Sequence, residues 1–174
     1  MDSVSRLAAS IKMLLLDVDG VLTDGKLYFG NNGEELKAFN IYDGLGIKFL
    51  QRNGVQVGIV TGRTSQLVAR RAADLGIKIV VQGREDKLVA IHELQKQHAI
   101  SLAEIAYMGD DLPDLTAIQH VGLGMTVANA SSIIKKQAKW TSQYTSGNGA
   151  VREACELILA AQGSLEKIVQ QYST

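Results

Sequence analysis

Ile11-Lys12-Met13-Leu14-Leu15-Leu16-Asp17-Val18-Asp19-Gly20-Val21-Leu22-Thr23-Asp24-Gly25 is the stretch on which the fold turns. A short apolar run ends abruptly at an acid and passes into a glycine-bearing turn, the pattern of a buried strand with polar groups at its carboxyl end. The pattern recurs along the chain. Val55 to Val60, Ile77 to Val81, Ile105 to Met108 and Val121 to Met125 are further short runs rich in Val, Ile and Leu. Between them, Gly44 to Arg52, Ser65 to Leu75, Asp86 to His98, Leu112 to Gln119 and Ser131 to Gln137 carry apolar residues at helical spacing. Val151 to Gln162 adds a last helix after the Ser146-Gly147-Asn148-Gly149 segment. Strand alternating with helix predicts parallel βαβ units, an α/β fold with helices on both faces of an open sheet.

No internal repeat or linker interrupts the alternation, so one domain is expected over residues 1–174, with a C-terminal helix and tail from about 150 to 174. One insertion stands out, at about residues 25–41. Lys26 to Phe29 and Glu35 to Phe39 flank Gly30-Asn31-Asn32-Gly33, a hairpin signal just after the first strand. Tyr28, Phe29, Leu36 and Phe39 are too much apolar surface for so small an element to cover, and isolated hairpins are marginal. A second subunit is the expected cover, with folding back onto the same chain as the alternative.

Composition removes several classes of function. With 18 basic and 18 acidic residues the chain is neutral, which argues against nucleic-acid or anionic-membrane binding, since both draw on surplus Lys and Arg. The lone Cys155 has no partner for an intrachain disulfide, so a reducing, cytoplasmic location is expected. No export signal is visible, because the apolar run Met13 to Leu16 is broken at once by Asp17.

In open parallel sheets ligands bind beyond the carboxyl ends of the strands. There the chain places Asp17 and Asp19, then Thr61-Gly62-Arg63, then Lys87, then Asp110-Asp111. So many carboxylates in one pocket repel unless a cation joins them, and an all-oxygen donor set suits Mg²⁺. A carboxylate in such a site is able to attack phosphorus. Asp17 is the expected nucleophile, Asp19 the general acid and base, Thr61 the hydroxyl that holds phosphoryl oxygens, and Lys87 the charge that balances the transition state. Asp110 completes the metal site with Asp17 and Asp19, and Asp114 is placed to orient Lys87 or a metal-bound water. Each piece has a plainer reading. Asp111 and Asp114 are also expected as caps of the helix that Pro113 opens, and Lys87 alone reads as a solvated helix residue.

Other motifs fail on inspection. Gly20 to Lys26 spells a phosphate-loop pattern, but Leu27 replaces the hydroxyl residue and no helix follows. The calcium-loop and dinucleotide-loop patterns are each short of required positions, and His92 and His98 face different sides of a polar helix. A phospho-accepting receiver module would need its accepting acid at the third strand, where Gln82-Gly83 stands. A catalytically silent oligomeric subunit is disfavoured because every catalytic position is filled.

Taken in order, Asp17-Val18-Asp19-Gly20-Val21-Leu22-Thr23-Asp24, Thr61-Gly62-Arg63, Lys87 and Gly109-Asp110-Asp111 with Asp114 resemble the four motifs of the haloacid dehalogenase (HAD) superfamily. More narrowly, Gly30 to Asn40, Asp43-Gly44 with Gly46-Ile47, and Gly147 to Glu153 resemble the phosphatases of 3-deoxy-D-manno-octulosonate 8-phosphate (KDO 8-phosphate). The resemblance runs from about Ile11 to Gly163. It implies a Rossmann-like HAD core, Mg²⁺-dependent hydrolysis of a phosphorylated sugar acid through an aspartyl phosphate, and a role in lipopolysaccharide synthesis. It further implies a homotetramer in which hairpins and C-terminal tails cover a neighbour's site. The resemblance assigns substrate binding to Asp19, to Asn40, Ile41, Tyr42, Asp43 and Gly44, and to Lys48, Arg63, Arg71 and Lys87. Tyr42 is a departure, since relatives commonly carry Arg there, and a related nine-carbon keto acid phosphate remains an alternative substrate. The spacing between motifs leaves no room for an inserted cap domain.

Overall fold

The computed structural model describes residues 2–173. Its strands are β1 (Met13–Leu16), β2 (Tyr28–Phe29), β3 (Glu35–Leu36), β4 (Gln56–Val60), β5 (Ile79–Val81), β6 (Ile105–Met108), β7 (Leu123–Thr126) and β8 (Trp140–Thr141). The helices are α1 (Ser3–Ala9), α2 (Ile41–Arg52), α3 (Gln66–Asp74), α4 (Lys87–His98), α5 (Leu115–His120), α6 (Ser132–Gln137), α7 (Ala150–Ala161) and α8 (Leu165–Gln171). Six strands form one sheet in the order β5-β4-β1-β6-β7-β8, every pair parallel. Strands β2 and β3 make a separate antiparallel pair.

The chain order explains where the site falls. From β1 the chain moves outward through β4 to β5, then returns across the sheet to β6 on the other side of β1 and continues to β7. Right-handed crossovers put the helices of the outward and return journeys on opposite faces. Accordingly α1, α2 and α7 pack together, and α4 packs with α5. The reversal lies between β1 and β6, and such a switch point opens a crevice at the strand ends. Central β1 is covered on both faces, so all four of its residues are apolar and buried.

The five expected strands and six expected helices are all present, with no end moved by more than three residues. Helix α2 starts at Ile41 rather than Gly44, because the Asn40 side chain accepts a hydrogen bond from Tyr42 N–H at 2.8 Å and caps it. The expected helix from Leu112 divides into a 3₁₀ turn, Leu112–Asp114, and α5. Helices α1 and α8 and edge strand β8 go beyond the expected elements, being too short to carry a periodic signal.

The hairpin is present but smaller than expected, with two residues paired on each side. Leu27, Tyr28, Phe29 and Leu36 are exposed. Phe39 is not, and so departs from the expectation: it packs on the core beneath the Arg71 guanidinium, 5.8 Å from its ring centre. Among the described residues no helix is long and apolar enough to cross a membrane.

Leu15 is completely buried at the centre of β1. Leu15→Ala is expected to lower the unfolding free energy by about 2–5 kcal/mol in urea titrations, from lost burial plus the cavity left behind.

Candidate active site

The parallel register builds the site. Leu16 lies opposite Ile59 on one side and Met108 on the other, so Asp17, Thr61 and Asp110 leave three adjacent strands at nearly the same level. A cleft of about 480 Å³ opens there, lined by Asp17, Asp19, Thr61, Gly62, Arg63, Glu85, Lys87 and Pro113. One carboxylate oxygen each from Asp17, Asp110 and Asp114 lie within 4.8 Å of one another. Lys87, the first residue of α4, reaches into this group, its ammonium 2.5 Å from Asp114 and 3.1 Å from Asp17.

Asp114 is the most constrained of the acids. Its Oδ1 accepts hydrogen bonds from Lys87 and from the Tyr107 hydroxyl at 2.5 Å, and its Oδ2 from the backbone N–H groups of Asp110 at 2.9 Å and Asp111 at 3.2 Å. Every lone pair in easy reach is occupied, so its carboxylate is a strut for Lys87 and for the loop that carries Asp110. Asp17 and Asp110 have no comparable set of donors. Burial, reinforced by the charge of Asp114 and opposed by Lys87, lifts Asp17 to about 6. Burial, with Asp114, Asp17 and Asp111 adding to it, lifts Asp110 to about 7. Burial alone would lower Lys87, but Asp17 and Asp114 outweigh it and hold the ammonium charged. One cation against three clustered acids leaves a surplus of negative charge, and the donors are all carboxylate oxygens. That combination fits a hard divalent cation.

Two glycines permit the approach. After β1 the chain turns through a kinked segment, Val18–Leu22, in which Gly20 takes φ +90°. A β-carbon on Gly20 would lie 2.1 Å from Asp110 Oδ2, and one on Gly109 would lie 2.3 Å from Asp114 Cγ. Both backbones touch carboxylates at distances that no side chain allows.

Several expected residues fall elsewhere. The Asp19 carboxylate is not one of the three clustered acids. Its Oδ1 instead accepts a hydrogen bond from Lys37, which arrives from the hairpin. Thr61, Gly62 and Arg63 line the cleft as a loop, since α3 begins only at Gln66 with Ser65 as its cap. Arg63 lies at the cleft and pairs with Glu35 of the hairpin at 3.2 Å.

Asn40, Ile41, Tyr42, Asp43, Gly44, Lys48 and Arg71 do not line the cleft of their own chain. Asn40 caps α2, and its main-chain carbonyl accepts from Arg71 at 3.0 Å. Asp43 is buried, its Oδ1 accepting from Arg152 N–H at 2.8 Å, so it braces α2 against the start of α7. Burial raises its pKa against those backbone donors. Ile41 and Tyr42 are exposed on the first turn of α2.

Glu85, Tyr107 and Lys37 belong to the site without a signal in the sequence patterns above. Tyr107 was concealed in an apolar strand, although a phenol at such a position needs a buried partner. Lys37 sits two residues from Glu35, hence on the same side of an extended strand, but nothing local shows that the side meets Asp19.

Comparison with known proteins places this geometry in context. A model of the haloacid dehalogenase-like hydrolases matches residues 77–153. The 3-deoxy-D-manno-octulosonate 8-phosphate phosphatase KdsC of Escherichia coli (strain K12) is 47% identical over 160 residues, covering 92% of this chain and 85% of that protein. The crystal structure of a probable YrbI family phosphatase from Pseudomonas syringae pv. phaseolica 1448a superimposes with a TM-score of 0.97 at 48% identity, covering 98% of this chain and 97% of that one. That of the 3-deoxy-D-manno-octulosonate 8-phosphate phosphatase from Moraxella catarrhalis, in complex with magnesium ion, phosphate ion and KDO, gives 0.98 at 42% identity and covers 99% of both chains. The fold, the acid cluster at the strand ends and this identity over nearly the whole length agree: the chain belongs to the KDO 8-phosphate phosphatase family of haloacid dehalogenase-like hydrolases.

Proposed function

We propose that this chain hydrolyses KDO 8-phosphate to KDO and inorganic phosphate in lipopolysaccharide synthesis, as a single catalytic unit that requires Mg²⁺. The observation that carries the reading is the convergence of Asp17, Asp110 and Asp114 beside Thr61 and Lys87 in one cleft, in a chain whose relatives carry that activity by name. Asp17 and Asp110 are the side chains free to hold the ion, since Asp114 is already bound to Lys87 and Tyr107. Mg²⁺ held by these residues would supply positive charge that offsets the negative charge of the acids and of the phosphoryl group.

The chemistry divides into two displacements. Asp17 attacks phosphorus, and the bond to the sugar oxygen breaks as Asp19 gives that oxygen a proton. Asp19 then takes a proton from water, whose oxygen attacks phosphorus and releases phosphate from Asp17. The Thr61 hydroxyl and the loop to Arg63 hold the phosphoryl oxygens, while Lys87 offsets the charge that builds on them. Asp111 and Asp114 serve behind the site, keeping the Asp110 loop and Lys87 in place.

Recognition of the sugar acid is the part that one copy of the chain leaves open. Tyr42, Lys48 and their neighbours lie outside the cleft, and the hairpin exposes Phe29 and Leu36 at 69% and 65%. Both features support a homo-oligomer, read as a tetramer, in which the segment from Asn40 to Gly44 with Lys48 and Arg71 serves an interface near a neighbour's cleft. A cytoplasmic place of action belongs to the same reading, since the substrate is a phosphorylated precursor.

The deciding experiment measures phosphate release from a panel of phosphomonoesters, with KDO 8-phosphate and a nine-carbon keto acid phosphate among them, with and without chelator. KDO 8-phosphate is expected to be turned over best, and Asp17→Asn to lose at least about a thousandfold in rate. Preference for the nine-carbon ester would overturn the sugar assignment, and an active Asp17→Asn the covalent route.

The raised pKa values of Asp17 and Asp110 set a second test. Between the ordinary carboxylate value of 3.8 and about 6 to 7, the folded chain holds protons that the unfolded chain releases. Their stabilising contribution is therefore complete at low pH and is lost as pH rises through that window. A divalent cation binds the deprotonated acids, so saturating Mg²⁺ is expected to raise Tm by about 5 °C or more at pH 8 and by less at pH 5. Calorimetry at the two values checks the sign. In a third test, the double variant Phe29→Asp/Leu36→Asp is expected to shift the protein to a smaller species in analytical ultracentrifugation while each chain stays folded.

A further inference from the structure

Lys37 lies in the Gly30 to Asn40 stretch but carries none of the roles assigned above and does not line the cleft, yet its side chain is only 2% exposed. Lysines are seldom so buried unless paired. Its ammonium is bound to Asp19 Oδ1 and lies 3.6 Å from Glu35, which in turn pairs with Arg63 at 3.2 Å. Charges of alternating sign thus run from Asp19 through the return strand of the hairpin to the arginine on the cleft wall.

Asp19 needs such an anchor. It sits in the turn after β1 at φ −76°, ψ 112°, outside helical geometry, and Gly20 beside it is in the left-handed region. Its side chain is 24% exposed, and Oδ2 accepts no hydrogen bond among the described residues. With Oδ1 held and Oδ2 free, the carboxylate has one fixed orientation and one oxygen open to exchange a proton. We propose that Lys37 is a positioning residue for the phosphatase reaction, gripping one oxygen of Asp19 so that the other is set for proton transfer. The inference rests on the assignment of Asp19 as general acid and base. It makes the hairpin a working part of the active site of its own chain, because the turn after β1 cannot orient Asp19 by itself.

A double-mutant cycle tests this with radiolabelled phosphomonoester, sensitive enough to follow the residual rate of Asp19→Asn. Lys37→Met is expected to lower kcat by about tenfold to a hundredfold, the scale of a misplaced catalytic group, and to leave KM within about threefold. Lys37→Arg is expected to recover most of the loss. On the Asp19→Asn background, Lys37→Met should cost less than about threefold, since a residue acting through Asp19 has nothing left to position. An equal loss on both backgrounds would overturn the proposal, as would a raised KM with unchanged kcat, which would make Lys37 a substrate contact instead. Thermal melts accompany each variant, and Lys37→Gln takes the place of Lys37→Met if the latter does not fold. If the wild type turns over a different phosphomonoester and not KDO 8-phosphate, the sugar assignment fails on its own and the cycle is run on that ester.

Discussion

Negative charge concentrated in a confined space is the constraint to which the rest of this molecule responds. Asp17, Asp110 and Asp114 bring carboxylate oxygens within 4.8 Å of one another, where the surroundings screen far less than water. Left alone, three such groups would protonate or push the loops apart. Lys87 supplies one positive charge, and Tyr107 and two backbone amides supply donors, but all of these converge on Asp114 or are shared with it. Asp17 and Asp110 stay short of partners, which is why they hold protons into the neutral range. The same shortage makes them suited to a cation and a phosphate.

That arrangement needs a rigid frame. Removing one partner of a buried ion pair typically costs about 3–5 kcal/mol, so Lys87 and Asp114 are as much a structural element as a chemical one. The frame comes from β1 and β6, whose residues are wholly buried and whose register brings the acid-bearing ends level. Gly20 and Gly109 then let backbone stand where a side chain would collide with the carboxylates. Packing in the sheet and charge at its edge are therefore coupled: a shift in register would separate the acids.

The hairpin answers to a different balance. It exposes Leu27, Tyr28, Phe29 and Leu36, yet buries the Lys37 side chain against Asp19. An element too small to be stable alone is thus attached to the site by charge.

Much of this was legible from residue order. Apolar runs ending in acids mark the strands, and the alternation with helices dictates a parallel sheet whose strand ends must converge, so residue order alone makes Asp17, Thr61, Lys87 and Asp110 neighbours. These inferences rest on local periodicity and on topology, both of which are properties of the linear chain. What only the tertiary structure decided was which side chain faces which. Asp19 turns to Lys37 rather than to the other acids, Asp43 braces α7, Phe39 folds under Arg71, and Tyr107 reaches Asp114 from inside a strand. Each of these pairings joins residues brought together by packing, and the choice among partners depends on the close fit of the whole core. Sequence determined where the charge gathers, and the folded chain determined how it is held.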